Sequence, residues 1–141
     1  MADTGLKLMN AAHRAVLGVS RGRILRSAFG MPAVELHTIG RSSAQRRSTM
    51  LTTPIHDANQ IVLVASKGGD DRHPDWYRNL VANPDVELTM AGVTTAMTAR
   101  TATPQERAEM WPKVVAAYKG YGGYQQRTDR EIPLVICEPR S

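Results

Sequence analysis

Short apolar and alternating stretches, separated by turn-forming residues, dominate the chain from Pro32 onward. Alternation of apolar and polar positions, or a short continuous apolar run, is typical of β-strands. The pattern predicts strands at residues 33–39, 48–55, 61–65, 86–90, 93–101 and 132–137. Pro54 makes the second an edge or bulged strand, because proline lacks the N–H that a sheet requires. The connections are mostly short, so we expect mainly antiparallel pairing.

Helical signals lie between these strands. A helix is predicted over residues 74–82, and Pro84 prevents it from continuing. A capping box at residues 103–106 opens another helix, which we expect to break or restart at Pro112. Strands and helices do not alternate regularly, which disfavours a doubly wound parallel sheet. The prediction is a mainly β fold with helices (α+β), a closed or nearly closed barrel decorated by helices.

Residues 1–30 follow a different pattern. They contain five lysine or arginine residues and a single acidic residue, Asp3. At about 100° per residue, most basic side chains fall on one side and the apolar ones broadly opposite, which predicts a basic amphipathic helix. Two interpretations stay open: the helix packs on its own domain, or it rests on anionic lipid or covers a binding groove. We therefore divide the chain into a helical segment, 1–30, and a barrel domain, 31–141.

Composition narrows the choice of compartment and partner. The chain has 141 residues and a formal net charge of +5, which favours an anionic partner. The single cysteine, Cys137, excludes an internal disulfide framework and is typical of a reducing cytoplasm. No apolar run approaches the roughly 20 residues that span a bilayer. We expect a cytoplasmic protein, with peripheral contact at the inner face of the cell membrane as the alternative for residues 1–30.

Several kinds of site lack their sequence signal. The four histidines show no HxxxH spacing and no cysteine pair is present, so we expect no metal site. The GxSxG elbow, the GxGxxG fingerprint and the P-loop are absent as well. The tyrosines lie away from the basic clusters, so nucleic acid is not an expected partner. A small-molecule partner remains.

The segment after the third predicted strand has the features of an anion site. Ser66, Lys67, Gly68 and Gly69 follow its apolar run. Glycine tolerates positive φ, so successive N–H groups can turn toward one anion, and the lysine adds a full charge. A solvated Lys-Gly-Gly turn is the alternative. Three cations follow the first strand: Arg41, Arg46 and Arg47. If strands pair as sequential neighbours, these cations lie at the same end of the barrel as the Lys-Gly-Gly turn and form with it a groove for phosphate and carboxylates.

A second candidate is the tyrosine segment at residues 118–124. Tyr118, Tyr121 and Tyr124 are spaced three apart among three glycines. This pattern predicts a mobile flap whose phenols stack on a flat ligand and donate O–H to a carbonyl or nitro group. The alternative is an aromatic-rich loop that seals the core.

Several motifs occur together in a fixed order: GR-x-S at 40–43, ASKGG at 65–69, PDWYRNL-x-ANP at 74–84, ERAEMWP at 106–112 and TDR-x-IP at 128–133. With the tyrosine segment, they make the chain resemble the actinobacterial deazaflavin-dependent nitroreductase family. The resemblance implies a split β-barrel of the FMN-binding type and coenzyme F420 as cofactor. It assigns cofactor contacts to Arg41, Ser42, Ser43, Arg47, Met50, Ser66, Lys67, Gly68, Gly69 and Trp76. It assigns the substrate side to the three tyrosines.

The resemblance also implies a reaction. Family members transfer a hydride from the reduced deazaflavin to an activated electrophile, such as an unsaturated ester or lactone of the coumarin type, a quinone or a nitroaromatic. The chain departs from the family pattern at Ser42, Ala44 and Met50, where lysine, glycine and proline are usual. Alternatives are an FMN-dependent oxidoreductase, or a non-catalytic F420-binding or membrane-associated quinone-linked protein. The sequence allows a monomer or a homodimer.

Overall fold

The computed structural model describes residues 30–140. The basic helix predicted over residues 1–30 lies outside the described residues, apart from Gly30. Its membrane contact and the division of the chain at residue 30 therefore stay predictions.

The described part contains one seven-stranded sheet in which every pair is antiparallel. Its strands run in the spatial order β2-β1-β5-β6-β7-β4-β3. Their bounds are β1 Ala33–Ile39, β2 Arg46–Thr52, β3 Ile55–His56, β4 Ile61–Val64, β5 Asp85–Met90, β6 Val93–Thr101 and β7 Leu134–Pro139. The expected strand over 48–55 is wrong as a single element: it begins two residues earlier and splits into β2 and β3 around Thr53 and Pro54.

The sheet curls because its two edge strands are neighbours in the chain. β2 and β3 lie at opposite edges, yet only Thr53 and Pro54 separate them. Thr53 is fully buried at this point, and its hydroxyl lies 2.8 Å from the carbonyl oxygens of both Ile55 and Val62. The result is a curled half-barrel, as expected for a split barrel. Sequential pairing, however, does not hold between β2 and β3.

Two hydrophobic cores flank the sheet. Val34 and Leu36 of β1 belong to the first, which is shared with β5, β6, β7 and part of β4. Val62 and Val64 of β4 belong to the second, together with residues of the later helices. Successive strand residues point to opposite faces, so β4 is covered on both faces. This explains its continuous apolar run.

Three α-helices complete the described part: α1 Asp75–Ala82, α2 Pro104–Ala117 and α3 Gly120–Gln126. The capping box of α2 is present, with the Thr103 hydroxyl accepting from the Glu106 N–H at 3.2 Å. The predicted break at Pro112 is wrong, because α2 continues through it. Proline removes one hydrogen bond, but Trp111 and Val114 pack into the second core and hold the helix together.

The expected glycine-loosened flap is also wrong in structure, since most of the tyrosine segment forms α3. Tyr121 is buried in the second core, and Tyr118 and Tyr124 pack against that core. A side chain at Gly120 would collide with the ring of Tyr118. This glycine therefore makes room for an aromatic ring.

Candidate functional site

A groove of about 740 Å³ is lined by the loop after β1, by β2, by the turn after β4, and by α1 and α3. Its walls combine cations, hydroxyl groups, thioethers and phenols. The lining residues are Met31, Thr38, Gly40, Arg41, Ser42, Ser43, Arg47, Ser48, Thr49, Met50, Leu51, Thr52, Val64, Ser66, Lys67, Gly68, Pro74, Asp75, Trp76, Asn79, Tyr118, Tyr121 and Tyr124. The two sequence candidates, basic and aromatic, therefore share one groove.

The groove contains all but two of the residues predicted for cofactor and substrate. The exceptions are Arg46 and Gly69, of which Gly69 is buried and packs against α3. A Cβ there would lie 2.7 Å from the carbonyl oxygen of Tyr124. Gly69 thus sets the distance between the turn and the helix. Arg46, the third cation expected after β1, pairs instead with Glu87 at 2.6 Å.

The turn after β4 is a single 3-10 turn at Lys67–Gly69. All three residues have positive φ: 46° at Lys67, 63° at Gly68 and 85° at Gly69. The N–H of Gly69 donates to the Ser66 carbonyl and that of Asp70 to the Lys67 carbonyl. These two amides are used inside the turn, so the expected row of N–H groups facing an anion is reduced. The charge of Lys67 becomes the main attraction for an anion at this turn.

The sequence did not single out Asn79, which anchors the cationic loop after β1. Its side-chain oxygen accepts from the Arg41 backbone N–H at 3.2 Å and from the Arg41 guanidinium at 2.8 Å. Its amide donates to the Thr38 hydroxyl at 3.4 Å. The same guanidinium lies 3.3 Å from a carboxylate oxygen of Asp75. The one signal in the sequence is that Asn79 is a polar residue beside Leu80, on the helix whose apolar positions include Trp76.

We expect Asn79→Ala to lower the free energy of unfolding by about 1–3 kcal/mol, because it leaves buried hydrogen-bonding groups without a partner. The matched control, Asp75→Ala, breaks only an exposed ion pair on the same arginine and should change stability by less than about 1 kcal/mol. Urea unfolding of both variants provides the measurement. Equal losses would contradict the anchoring role of Asn79.

The three tyrosines form a compact cluster at the other side of the groove. Their ring centroids are 5.2 to 6.2 Å apart in edge-on arrangements. The hydroxyl oxygens of Tyr118 and Tyr124 are 3.4 Å apart, and that of Tyr121 lies 3.3 Å from the Thr52 hydroxyl. The hydrogen bond with Tyr118 and partial burial raise the pKa of Tyr124 to about 12, while burial raises the pKa of Tyr121. These two phenols stay protonated at neutral pH.

Residues 9–139 match the model of a family described as F420H(2)-dependent quinone reductase. The chain belongs to this family. An F420H(2)-dependent quinone reductase of Mycobacterium tuberculosis is 39% identical over 140 residues, which cover 96% of this chain and 93% of that protein. A solved F420-H2 dependent reductase (FDR-A) shares 39% identity with a TM-score of 0.69, covering 76% of this chain and 94% of that one. A second solved structure, described only as a domain-swapped dimer, shares 32% identity with a TM-score of 0.69, covering 89% of this chain and 98% of that one.

Family membership confirms the predicted class of protein. The chain is an oxidoreductase that uses reduced coenzyme F420, on the split-barrel fold that the resemblance implied. Within residues 30–140, no helix has the length and apolar character needed to cross a membrane. Nor does that stretch contain three His, Cys, Asp or Glu side chains grouped to hold a metal ion.

Proposed function

We propose that the protein reduces quinones and related activated electrophiles with reduced coenzyme F420, and that both molecules bind in the groove between β2, the Lys67 turn, α1 and α3. The observation that carries this proposal is that a single groove joins cations to a cluster of three phenols. Unsaturated lactones of the coumarin type and nitroaromatics are further acceptors in the same chemical class, since each contains an electron-poor centre that accepts a hydride.

The side chains of the groove fit this cofactor. Arg41, Arg47 and Lys67 supply positive charge for a phosphate and a polyglutamate tail, and nearby hydroxyls add donors: Ser42, Ser43 and Ser66. Met50, Leu51 and Val64 offer apolar surface for a flat ring, with Trp76 supporting the pocket. The acidic side chain in the lining, Asp75, is paired with Arg41, so it adds little repulsion toward an anion.

When bound, the reduced deazaflavin supplies a hydride, that is, two electrons and one proton. The acceptor then needs one further proton to become a neutral hydroquinone or saturated product. Tyr124 and Tyr118 can deliver it, because their hydroxyls are paired and both line the groove. Tyr121, held by Thr52 and buried, offers its ring as a wall for the acceptor. The phenols thus orient the acceptor and hold the proton.

The proposal is tested by fluorescence titration with coenzyme F420 beside FMN, followed by a screen of quinones, enones and coumarins with the reduced cofactor. We expect salt-sensitive binding of F420, weaker binding of FMN and turnover of quinones. Preference for FMN would overturn the cofactor site. Binding of F420 with no turnover of any acceptor would favour a non-catalytic carrier.

We expect Tyr124→Phe to lower kcat about 10- to 100-fold, since a general acid contributes about that much or more and Tyr118 remains nearby. Cofactor affinity should change less than about twofold, because the ring is retained. Since the pKa of Tyr124 is about 12, ionisation of this phenol should not reduce wild-type kcat below about pH 10. The pH profile of kcat checks this.

The matched control for Tyr124 is Tyr77→Phe. It also removes a single phenolic hydroxyl, one that lies 2.8 Å from the Thr101 hydroxyl, and Tyr77 does not line the groove. Its kcat should equal that of the wild type. Unchanged kcat in Tyr124→Phe as well would assign proton delivery to solvent.

A further inference from the structure

Arg130 joins the two ends of the segment that contains the Lys67 turn. Its guanidinium donates to the carbonyl oxygens of Ala65 at 3.1 Å, Ser66 at 2.8 Å and Asp70 at 2.8 Å. The same group donates to Nδ1 of His73 at 3.1 Å. Ala65 and Ser66 precede the turn and Asp70 follows it, so one side chain fixes both of its ends.

This arrangement requires an arginine. Only a guanidinium has five N–H donors in a rigid planar fork, so it can serve several carbonyl groups and an imidazole at once. A lysine has three donors on one atom and could serve part of the set. Arg130 itself is not among the described residues that line the groove, whereas Ser66, Lys67 and Gly68 are. Its effect on the groove therefore passes through the turn.

The turn needs such support. Three successive residues have positive φ, and Lys67 is not a glycine, so its conformation costs about 1–2 kcal/mol. Backbone held in this way persists where the surroundings fix it. A second contact comes from the same connecting segment, since the Thr128 hydroxyl donates to Asp71 at 2.8 Å. Residues 128–130 thus hold the segment that contains the turn.

We propose that Arg130 is the positioning residue of the Lys67 turn: by bridging the carbonyls of Ala65, Ser66 and Asp70, it holds Lys67 where the anionic part of the cofactor binds. The inference rests on the proposed function, which places that anionic part at Lys67. It assigns Arg130 no contact with cofactor or substrate.

Arg107 is the matched control because it is an arginine of the same kind outside the groove. It is partly buried and donates to the Ile132 carbonyl at 3.0 Å and to the Gln125 side chain at 2.9 Å. Arg107→Gln and Arg130→Gln should both lower stability, since each removes several hydrogen bonds from the arginine to partly buried oxygens. Only Arg130→Gln should change the cofactor site.

The experiment measures the Kd of coenzyme F420 by fluorescence for Arg130→Gln, Arg130→Lys, Arg107→Gln and Lys67→Ala, well below each unfolding midpoint. Arg130→Gln should weaken binding about tenfold, Arg130→Lys should restore part of it, and Arg107→Gln should stay within about twofold. Combining Arg130→Gln with Lys67→Ala should add little to Lys67→Ala alone, because one acts through the other. If Arg130→Gln fails to fold, Arg130→Lys provides the test, and its Kd should lie between those of the wild type and Lys67→Ala.

Hydrogen exchange of the cofactor-free protein gives a second readout. Arg130→Gln should speed exchange at the Gly69 and Asp70 amides, whose hydrogen bonds close the turn, and Arg107→Gln should not. If the Arg130 variants bind the cofactor as tightly as the wild type while Lys67→Ala binds it more weakly, the proposed role of Arg130 is overturned and the groove assignment stands. Unchanged affinity in Lys67→Ala would instead overturn the groove assignment, and this inference with it.

Discussion

Replacing Lys67 with alanine is expected to weaken binding of coenzyme F420 about 10- to 100-fold. A charge-assisted hydrogen bond to phosphate or carboxylate contributes about 1.5–3 kcal/mol, and each 1.4 kcal/mol is a factor of about ten in Kd. The turn holds its own Gly69 and Asp70 amides in internal hydrogen bonds, so they do not compensate for the lost charge. Stability should change little, because the substitution removes no residue of either core. Fluorescence titration of the variant gives the affinity.

Two comparisons distinguish a direct contact between Lys67 and the cofactor from general electrostatic attraction by the protein. They are the salt dependence of binding and a variant of a second lysine. Lys113→Ala removes the same charge from an exposed position on α2 that does not line the groove, so its Kd should stay within about twofold of wild type. Arg47→Ala should resemble Lys67→Ala and, like it, reduce the salt dependence of binding. Equal effects at Lys67 and Lys113 would mean that only net charge matters, and the groove would lose its main support.

The strands were largely predictable because their pattern is local. β1 was predicted at its observed bounds, and the hairpin of β5 and β6 differs from its prediction only in that β5 begins one residue earlier. Errors arose where packing across the molecule decides the outcome. Pro112 indicated a helix break, but the second core under α2 outweighs the one lost hydrogen bond. The glycines near Tyr121 indicated a loop, yet burial of that ring favours a helix.

The groove was partly predictable for a related reason. Arg41, Lys67 and their neighbours follow strands, where charge and glycine are visible in the sequence, and the spacing of the tyrosines indicated a wall of phenols. The resemblance added Trp76. Asn79 and Arg130 were not assigned roles, because their partners lie far along the chain. Asn79 is 38 residues from Arg41, and Arg130 is 64 residues from Ser66. Local patterns contain no information about such pairs, although these two pairs hold the loop at Arg41 and the turn at Lys67 in place.

Gly68 and Gly69 look equivalent in the sequence, but the structure gives them different tasks. Both have positive φ, so alanine at either position is strained by about 1–2 kcal/mol, partly offset because the unfolded chain loses freedom. A Cβ on Gly68 meets nothing within 4 Å. A Cβ on Gly69 would lie 2.7 Å from the Tyr124 carbonyl oxygen and 3.0 Å from Cβ of Arg127. The second position therefore adds a steric cost against the backbone of α3.

We expect Gly69→Ala to lower the free energy of unfolding by about 2–4 kcal/mol, whereas Gly68→Ala should cost about 1 kcal/mol or less. Relief of the Gly69 clash must move the turn or α3, and α3 contains Tyr121 and Tyr124 of the groove. Gly69→Ala should therefore also reduce kcat with quinones. At a temperature well below the unfolding midpoint the variant is folded, so a loss of stability does not by itself lower kcat. Urea unfolding and steady-state kinetics on the same preparations measure both quantities. Equal stability losses at the two glycines would show that positive φ alone governs the turn, and that the contact with α3 does not fix the spacing between the cationic and aromatic sides of the groove.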